Sequence, residues 1–291
     1  MSGGTDMRDR FQMDSKGDRS VKEDLHMIVV VYYPAYLRKI AQIIEVLGGW
    51  QEMKSLRVVV NNPAISEKHA ESVFLNAAPT VKIIRHDNEG LEFGAYQRGL
   101  NDLRASIPDR FTCLFANDTV GTHQPIDRFF LRNLHGAVRT YMGTKFISGR
   151  IDSAVRQVEV NHLLGTRWVR SNLFVMDDAA LKSINHMIYV PELNAYINDS
   201  PEEDTFFGPA VAHSLRRHIS GWLFSTNPEA WYKAEPLSVK NCASMANKAR
   251  CVLQELFFSM RLAHFDTGFV QPKPLTVTEK IAVRAGFKKF S

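Results

Sequence analysis

The sequence predicts an α/β domain, a mostly parallel sheet with helices on both faces, followed by a helical C-terminal appendage. Three observations predict it. Short continuous apolar runs rich in β-branched residues recur, as strands covered on both faces require. Each is followed by apolar residues at helical spacing. The connections are short, which favours right-handed strand–helix–strand units.

The first run, "LHMIVVVYY" at 25–33, reads as a strand ended by Pro34, and "YLRKIAQIIEVL" at 36–47 reads as a helix closed by Gly48 and Gly49. A second strand, "LRVVVNN" at 56–62, stops at Pro63, and "SEKHAESVFLNAA" at 66–78 is a helix with Ser66 as its N-cap. "VKIIRH" at 81–86 is the third strand, "FGAYQRGLNDL" at 93–103 the third helix, and "DRFTCLFAND" at 109–118 the fourth strand. Later strands are expected at 146–150 and from 167, the latter running into a helix by 181. The stretch between them contains Arg156 and His162. Residues 198–222 contain a further helical stretch, and 244–262 a long helix.

These elements divide the chain into a disordered tail at 1–24, where both charge signs mix without periodicity, a domain at 25–230, and the appendage at 231–291. With 291 residues, 45% of them hydrophobic and 23% charged, the domain has enough apolar material for a large core. No run of eighteen apolar residues occurs and the N-terminus lacks an apolar signal core, so a cytoplasmic protein is expected, with no nucleic-acid partner. Three scattered cysteines form neither a disulfide framework nor a CxxC pair. The net charge of +5 is concentrated at 231–291, where ten Lys and Arg face four Asp and Glu. A basic, weakly amphipathic end of this kind suits an anionic neighbour, either lipid at the inner face of a membrane or a phosphorylated substrate, or simply a solvated face.

Ligands of such sheets bind beyond the carboxyl ends of the strands, so the informative residues lie in "YYPAY", "NNPA", "HDNEGLEFGA" and "NDTVG". None holds a GxGxxG or a GxxxxGK[ST], which argues against dinucleotide and P-loop chemistry. They present amides and carboxylates instead, suited to a base, a ribose, a sugar, or a cation on a diphosphate. Asn88 and Gly90 suit a turn where backbone approaches a ligand, and Gly94 suits a closely packed helix whose N-terminal amides face phosphate. Arg98 can reach a phosphate or pair with Asp102 one turn on. Asn61 and Asn62 read either as ligand contacts or as a turn before Pro63, and Asn117 with Thr119 either as ligand contacts or as an Asx-turn.

"HDNEGLEFGAYQRGL" followed by "CLFANDTVG" resembles the GT-A glycosyltransferases, and within them the rhamnan-synthesis F-type, family-two-like proteins, over roughly residues 26–225. The resemblance implies a GT-A-like, Rossmann-type sheet and an inverting hexosyltransferase. The implied reaction moves a sugar from a nucleotide-sugar donor to a growing surface polysaccharide, or to another glycan or lipid-linked glycan acceptor. It implies nucleotide-sugar contacts at Tyr32, Tyr33, Pro34, Asn61, Asn62, Asn88, Gly90, Gly94, Arg98 and Asn117. Asp118 stands where a DxD-type motif would hold Mn²⁺ or Mg²⁺, and His264 where some of these enzymes complete the metal shell. Asp204, with Glu203 second, matches the acidic pair that supplies the general base. Ser200-Pro201-Glu202-Glu203 also reads as a helix capping box. The chain departs from the family's pattern in having asparagine for the acid at the second strand tip and one acid where the metal motif commonly has two. Those departures support the alternative of a non-catalytic nucleotide-sugar-binding relative serving as an assembly subunit. A nucleotidyltransferase is disfavoured because "YYPAY" lacks the glycines and basic residues that cradle a triphosphate.

Overall fold

The computed structural model describes residues 24–107, 110–123, 126–225 and 230–284. The tail expected at 1–24 lies outside the described residues except for Asp24, as do the last seven residues of the basic end.

Four strands, β1 (Asp24–Val31), β2 (Met53–Val60), β3 (Val81–Arg85) and β4 (Phe111–Asn117), pair in parallel in the order β3-β2-β1-β4. Their side chains are buried on both faces in β1, β2 and β4, as the unbroken apolar runs require. The helices α1 (Leu37–Gly48), α2 (Glu67–Phe74) and α3 (Leu91–Arg104) connect them. Ser66 caps α2 as expected, its Oγ accepting the His69 amide at 3.1 Å. Ser66→Ala is expected to cost about 1 kcal/mol of stability in urea titrations without altering ligand binding.

After β4 comes α4 (Arg128–Tyr141), capped by Asp127 on the Phe130 amide at 2.8 Å, a helix that the sequence reading does not include. Its buried stripe of Leu131, Leu134 and Val138 has helical spacing but is short, and Gly136 interrupts the pattern. The later strands are longer than expected: β5 (Phe146–Val160) and β6 (Leu163–Asp177) form an antiparallel hairpin that extends the sheet past β4. Asn161 and His162, both at positive φ, make the two-residue turn. Arg156 and His162 therefore stand on a two-stranded ribbon and its tip. A short β7 (Gly268–Val270) pairs with β5 and completes the order β3-β2-β1-β4-β6-β5-β7.

The helical stretch at 198–222 is broken into α6 (Glu203–Phe206) and α7 (His213–Leu223), following α5 (Asp178–Ser183). Gly208 and Pro209 lie in the break, since proline cannot donate into a helix and the Gly208 backbone lies against Ala195. Ser200 is accordingly no N-cap; its hydroxyl meets Thr205 Oγ1 at 2.5 Å, and Glu202 is the residue that precedes α6.

One core packs α1, α2 and α4 on one face of the sheet. A second packs α3, α5 and the long α8 (Cys242–His264) on the other through Phe258 and Leu262. The C-terminal segment is helical as expected, but α8 is a wall of the main core rather than an appendage, because half its length is apolar on the side that meets β6 and α3. A third core joins α7, α8 and the far end of the hairpin. The last helix is α9 (Val277–Arg284). Among the described residues no helix is long and apolar enough to cross a membrane.

Candidate active site

Register alone brings the strand tips together: Val31 pairs with Val60, and Val30 with Asn117, so Tyr32, Asn61 and Asp118 emerge side by side at the carboxyl edge. Asp118 is the knot of this edge. Its Oδ2 accepts the amides of Tyr32 and Tyr33, each at 2.6 Å, and its own amide bonds to the Val30 carbonyl. Burial pushes its pKa from an ordinary 3.8 up to about 6, against the pull of those amides, and nearby Glu92 adds to the rise. Burial also raises Tyr33, with Asp118, Tyr32, Tyr36 and Tyr232 in electrostatic reach. Tyr32 and Tyr33 are exposed at this edge, and Pro34 opens a short 3₁₀ turn beside them.

The asparagines act as braces. Asn61 is buried, its Nδ2 donating to Asn88 Oδ1 and the Leu91 carbonyl, both at 3.1 Å, while its Oδ1 faces His86 Nδ1 at 2.9 Å. Asn62 donates to the Tyr32 carbonyl at 2.7 Å and accepts the Ala64 amide at 2.9 Å. Asn117 Oδ1 accepts both the amide and the hydroxyl of Thr119, at 3.1 and 2.5 Å, which is the Asx-turn reading. These amides hold the tips in register with their polar atoms turned to protein.

Asn88, Gly90 and Leu91 all have positive φ, a tight entry into α3. The room that Gly90 leaves is filled by the Tyr189 ring, 2.4 Å from where a Cβ would stand, and that left by Gly94 by the Glu89 carbonyl at 1.9 Å. Packing within the chain thus already requires both glycines, as expected for Gly94. Arg98 is exposed, and Asp102 pairs with Arg57 at 3.2 Å and with Lys82 instead.

The metal expectation meets a geometric obstacle. His264 ends α8 beside Phe265, whose carbonyl accepts Lys145 Nζ, and Gly268 pairs with Phe146 at the start of β5. Phe146 is level with Thr112, at the amino end of β4, through the pairings of Ile147 with Met176 and of Met176 with Cys113. Asp118 lies at the other end, roughly 16 Å or more along the strand. A shell shared by the two is not formed. Among the described residues no three His, Cys, Asp or Glu groups converge as metal ligands, and one oxygen of Asp118 is already held by two amides. Asp118 would hold a Mn²⁺ or Mg²⁺ ion only through its other oxygen, with phosphate and water supplying the rest of the shell.

Glu203 and Asp204 are exposed on α6. The segment before it reaches α8 through Asp199, 2.8 Å from Arg250. Arg250 lines a cavity of about 240 Å³ with Asn88, Gly90, Asn194, Asn247 and Cys251.

Beside Asp118 stands a cluster that sequence reasoning missed. Glu92, in the first turn of α3, lies 3.2 Å from Ser171 Oγ and 3.1 Å from Cys251 Sγ. Ser171 sits where five steps of β6 face two of β5, and this irregularity turns its amide toward Glu255, at 2.6 Å. Lys248, Cys251 and Glu255 follow at spacings of three and four, so α8 presents them on one face. Burial raises the pKa of Glu255 and, with Glu92, that of Cys251, so the thiol stays protonated. The half-buried Lys248 ammonium lies over the rings of Trp222 and Trp231, 5.4 and 5.8 Å from their centroids. Burial pulls its pKa down, but Cys251, Glu92, Glu255 and Tyr232 outweigh that and raise it. His123 bridges two tyrosines, with Tyr36 Oη at 2.9 Å from Nε2 and Tyr232 Oη at 3.2 Å from Nδ1. The available signal was the run of polar residues on the core-facing stripe of an otherwise apolar helix, with Glu92 opening α3.

No protein-family profile matches the sequence, and no curated protein matches it. Among solved structures, the chain is similar to mouse xyloside xylosyltransferase 1 in its apo form, at 10% identity and TM-score 0.37, covering 92% of this chain and 93% of that one. It is similar to the galactosyltransferase LgtC in complex with donor and acceptor sugar analogues, at 14% and 0.36, covering 77% and 95%. It is also similar to 4-diphosphocytidyl-2C-methyl-D-erythritol synthase, at 10% and 0.34, covering 55% and 79%. These likenesses are loose, and neither the reactions nor the residues of those proteins carry over to this chain.

Proposed function

We propose that the protein is a nucleotide-sugar-dependent glycosyltransferase, an inverting hexosyltransferase acting on a growing surface polysaccharide or a related, lipid-linked glycan. The observation that carries this reading is the convergence of Asp118, the Tyr32–Tyr33 loop and the Asn88–Leu91 turn at one carboxyl edge, beside a cluster of acids, a lysine and aromatic rings. That is where ligands of parallel sheets bind. The motifs "NEGLEFGAYQRGL" and "FANDTVG" that resemble the GT-A proteins form this edge.

In this reading Tyr32, Tyr33 and Pro34 offer backbone and ring surface to the nucleotide, and the braces at Asn61, Asn62, Asn88 and Asn117 hold that surface rigid. Preorganisation of this kind lowers the ordering cost of binding. Asp204 is the proposed general base, with Glu203 second; both carboxylates are exposed on α6 and open to an acceptor hydroxyl. Inversion follows if that hydroxyl attacks the sugar from the face opposite the departing diphosphate. The basic C-terminal end, including α9, would hold the protein near lipid-borne acceptors.

The test pairs two measurements. A panel of nucleoside diphosphates should raise the melting temperature, as any ligand that prefers the folded form does. A panel of nucleotide sugars with glycan acceptors should then show turnover that Asp204→Asn abolishes while nucleotide binding survives. Binding without turnover on any donor would favour the assembly-subunit reading. No stabilisation by any nucleotide would remove the transferase reading.

A further inference from the structure

We propose that Lys248, not a divalent cation, supplies the positive charge that faces the diphosphate of the nucleotide sugar in this cleft. The inference rests on the transferase reading and adds to it how leaving-group charge is met. A diphosphate needs a counter-charge as the bond from the sugar C1 to its oxygen breaks, because the electron pair of that bond stays with the diphosphate. The new bond forms between C1 and the acceptor oxygen, whose proton passes to the base. Either a metal or a fixed cation can meet the charge on the departing oxygen.

The chain's own groups decide between them. Its candidate metal ligands are dispersed, Asp118 at the carboxyl edge and His264 at the amino edge, and among the described residues no three such groups converge. The carboxylates of the cleft are held by protein donors: Asp118 by two amides, Glu255 by the Ser171 amide, and Glu92 by Ser171 Oγ and Cys251 Sγ. Lys248 is different. Its ammonium rests on two indole faces, and those faces offer electrostatic attraction without accepting its three N–H groups as a carboxylate would. Glu92 and Glu255 act on it through space and keep it protonated. A chain of contacts leads from it to the carboxyl edge: Trp231 meets Tyr232 at 5.6 Å between centroids, Tyr232 Oη lies 3.2 Å from His123, His123 lies 2.9 Å from Tyr36 Oη, and the Tyr36 ring lies 4.9 Å from that of Tyr33, whose amide Asp118 accepts. A charged donor that is desolvated, oriented and left with hydrogen-bonding capacity is what a phosphate oxygen would meet.

The experiment is titration of UDP and GDP, followed by calorimetry and by tryptophan fluorescence, in excess EDTA and in excess Mn²⁺ or Mg²⁺. Lys248→Met and Lys248→Arg are compared with the wild type. The expected result is nucleotide affinity that is the same with chelator or metal. Lys248→Met should weaken it by about tenfold or more, and Lys248→Arg should hold it within a few-fold. Nucleotide binding that appears only with added metal, or that Lys248→Met leaves intact, overturns the inference while the transferase reading stands. Binding of neither nucleotide under any condition overturns the inference, while the wider panel of nucleoside diphosphates decides the transferase reading. Should Lys248→Met fail to fold, the chelator comparison on the wild type still decides.

Discussion

Asp118→Asn is expected to remove about 3 kcal/mol of pH dependence from the stability of this protein between pH 4 and 6. The carboxyl group has an ordinary pKa of 3.8 and is raised to about 6 by burial in the folded chain. Between those values the native state holds a proton that the unfolded state has lost. The stability contributed by this group is therefore fully present below pH 4 and is lost as pH rises through 6. Asparagine resembles the protonated acid: it keeps an oxygen for the Tyr32 and Tyr33 amides and does not ionise. Urea denaturation at pH 4, 5, 6 and 7 measures the effect as the difference between wild type and variant. The variant should gain on the wild type with rising pH and be the more stable of the two at pH 7. Parallel curves would mean that the carboxylate is not desolvated as the structure shows. An ionised group kept at such a cost in the centre of the carboxyl edge is the pattern in which stability is given up for function.

Gly94→Ala is expected to destabilise the fold by about 3 kcal/mol or more, the upper range for overpacking. The added Cβ would stand 1.9 Å from the Glu89 carbonyl oxygen and 2.9 Å from its carbon. Backbone cannot rotate aside as a side chain can, so the turn at 87–91 must shift. That turn is tied to Asn61 through Asn88 and Leu91, and its helix carries Glu92 into the cleft. Denaturation should show the loss, and nucleotide binding should weaken in any fraction that still folds. A variant as stable as the wild type would show that the entry into α3 is looser than its dihedral angles indicate.

The parallel unit was legible because its signals are local. A run such as Met27–Val31 is apolar on both faces only when both will be covered, and Pro34 and Pro63 end their strands by chemistry that needs no neighbours. The N-cap at Ser66 and the glycines after α1 are local in the same sense. The later hairpin was only partly legible, since the alternation in residues 151–169 is half exposed and its far end is covered by α7 and α8, which lie far along the chain. The break after α6 was marked by Gly208-Pro209, but the capping pattern at Ser200 pointed to a longer helix.

The site divides along the same line. The sequence by itself determined which loops emerge at the carboxyl edge, because strand direction alternates with helices in a fixed hand, and it determined that Asp118 would be among them. Only the tertiary structure decided that Asn61 braces Asn88, that Gly90 yields to Tyr189, that His264 lies at the far end of the sheet, and that Glu255 meets Ser171 beside Glu92 while Lys248 rests on two tryptophans. The last two depend on where α8 docks, more than 120 residues after β4. Docking is set by shape and burial between surfaces distant in the chain, which no local pattern of residues encodes.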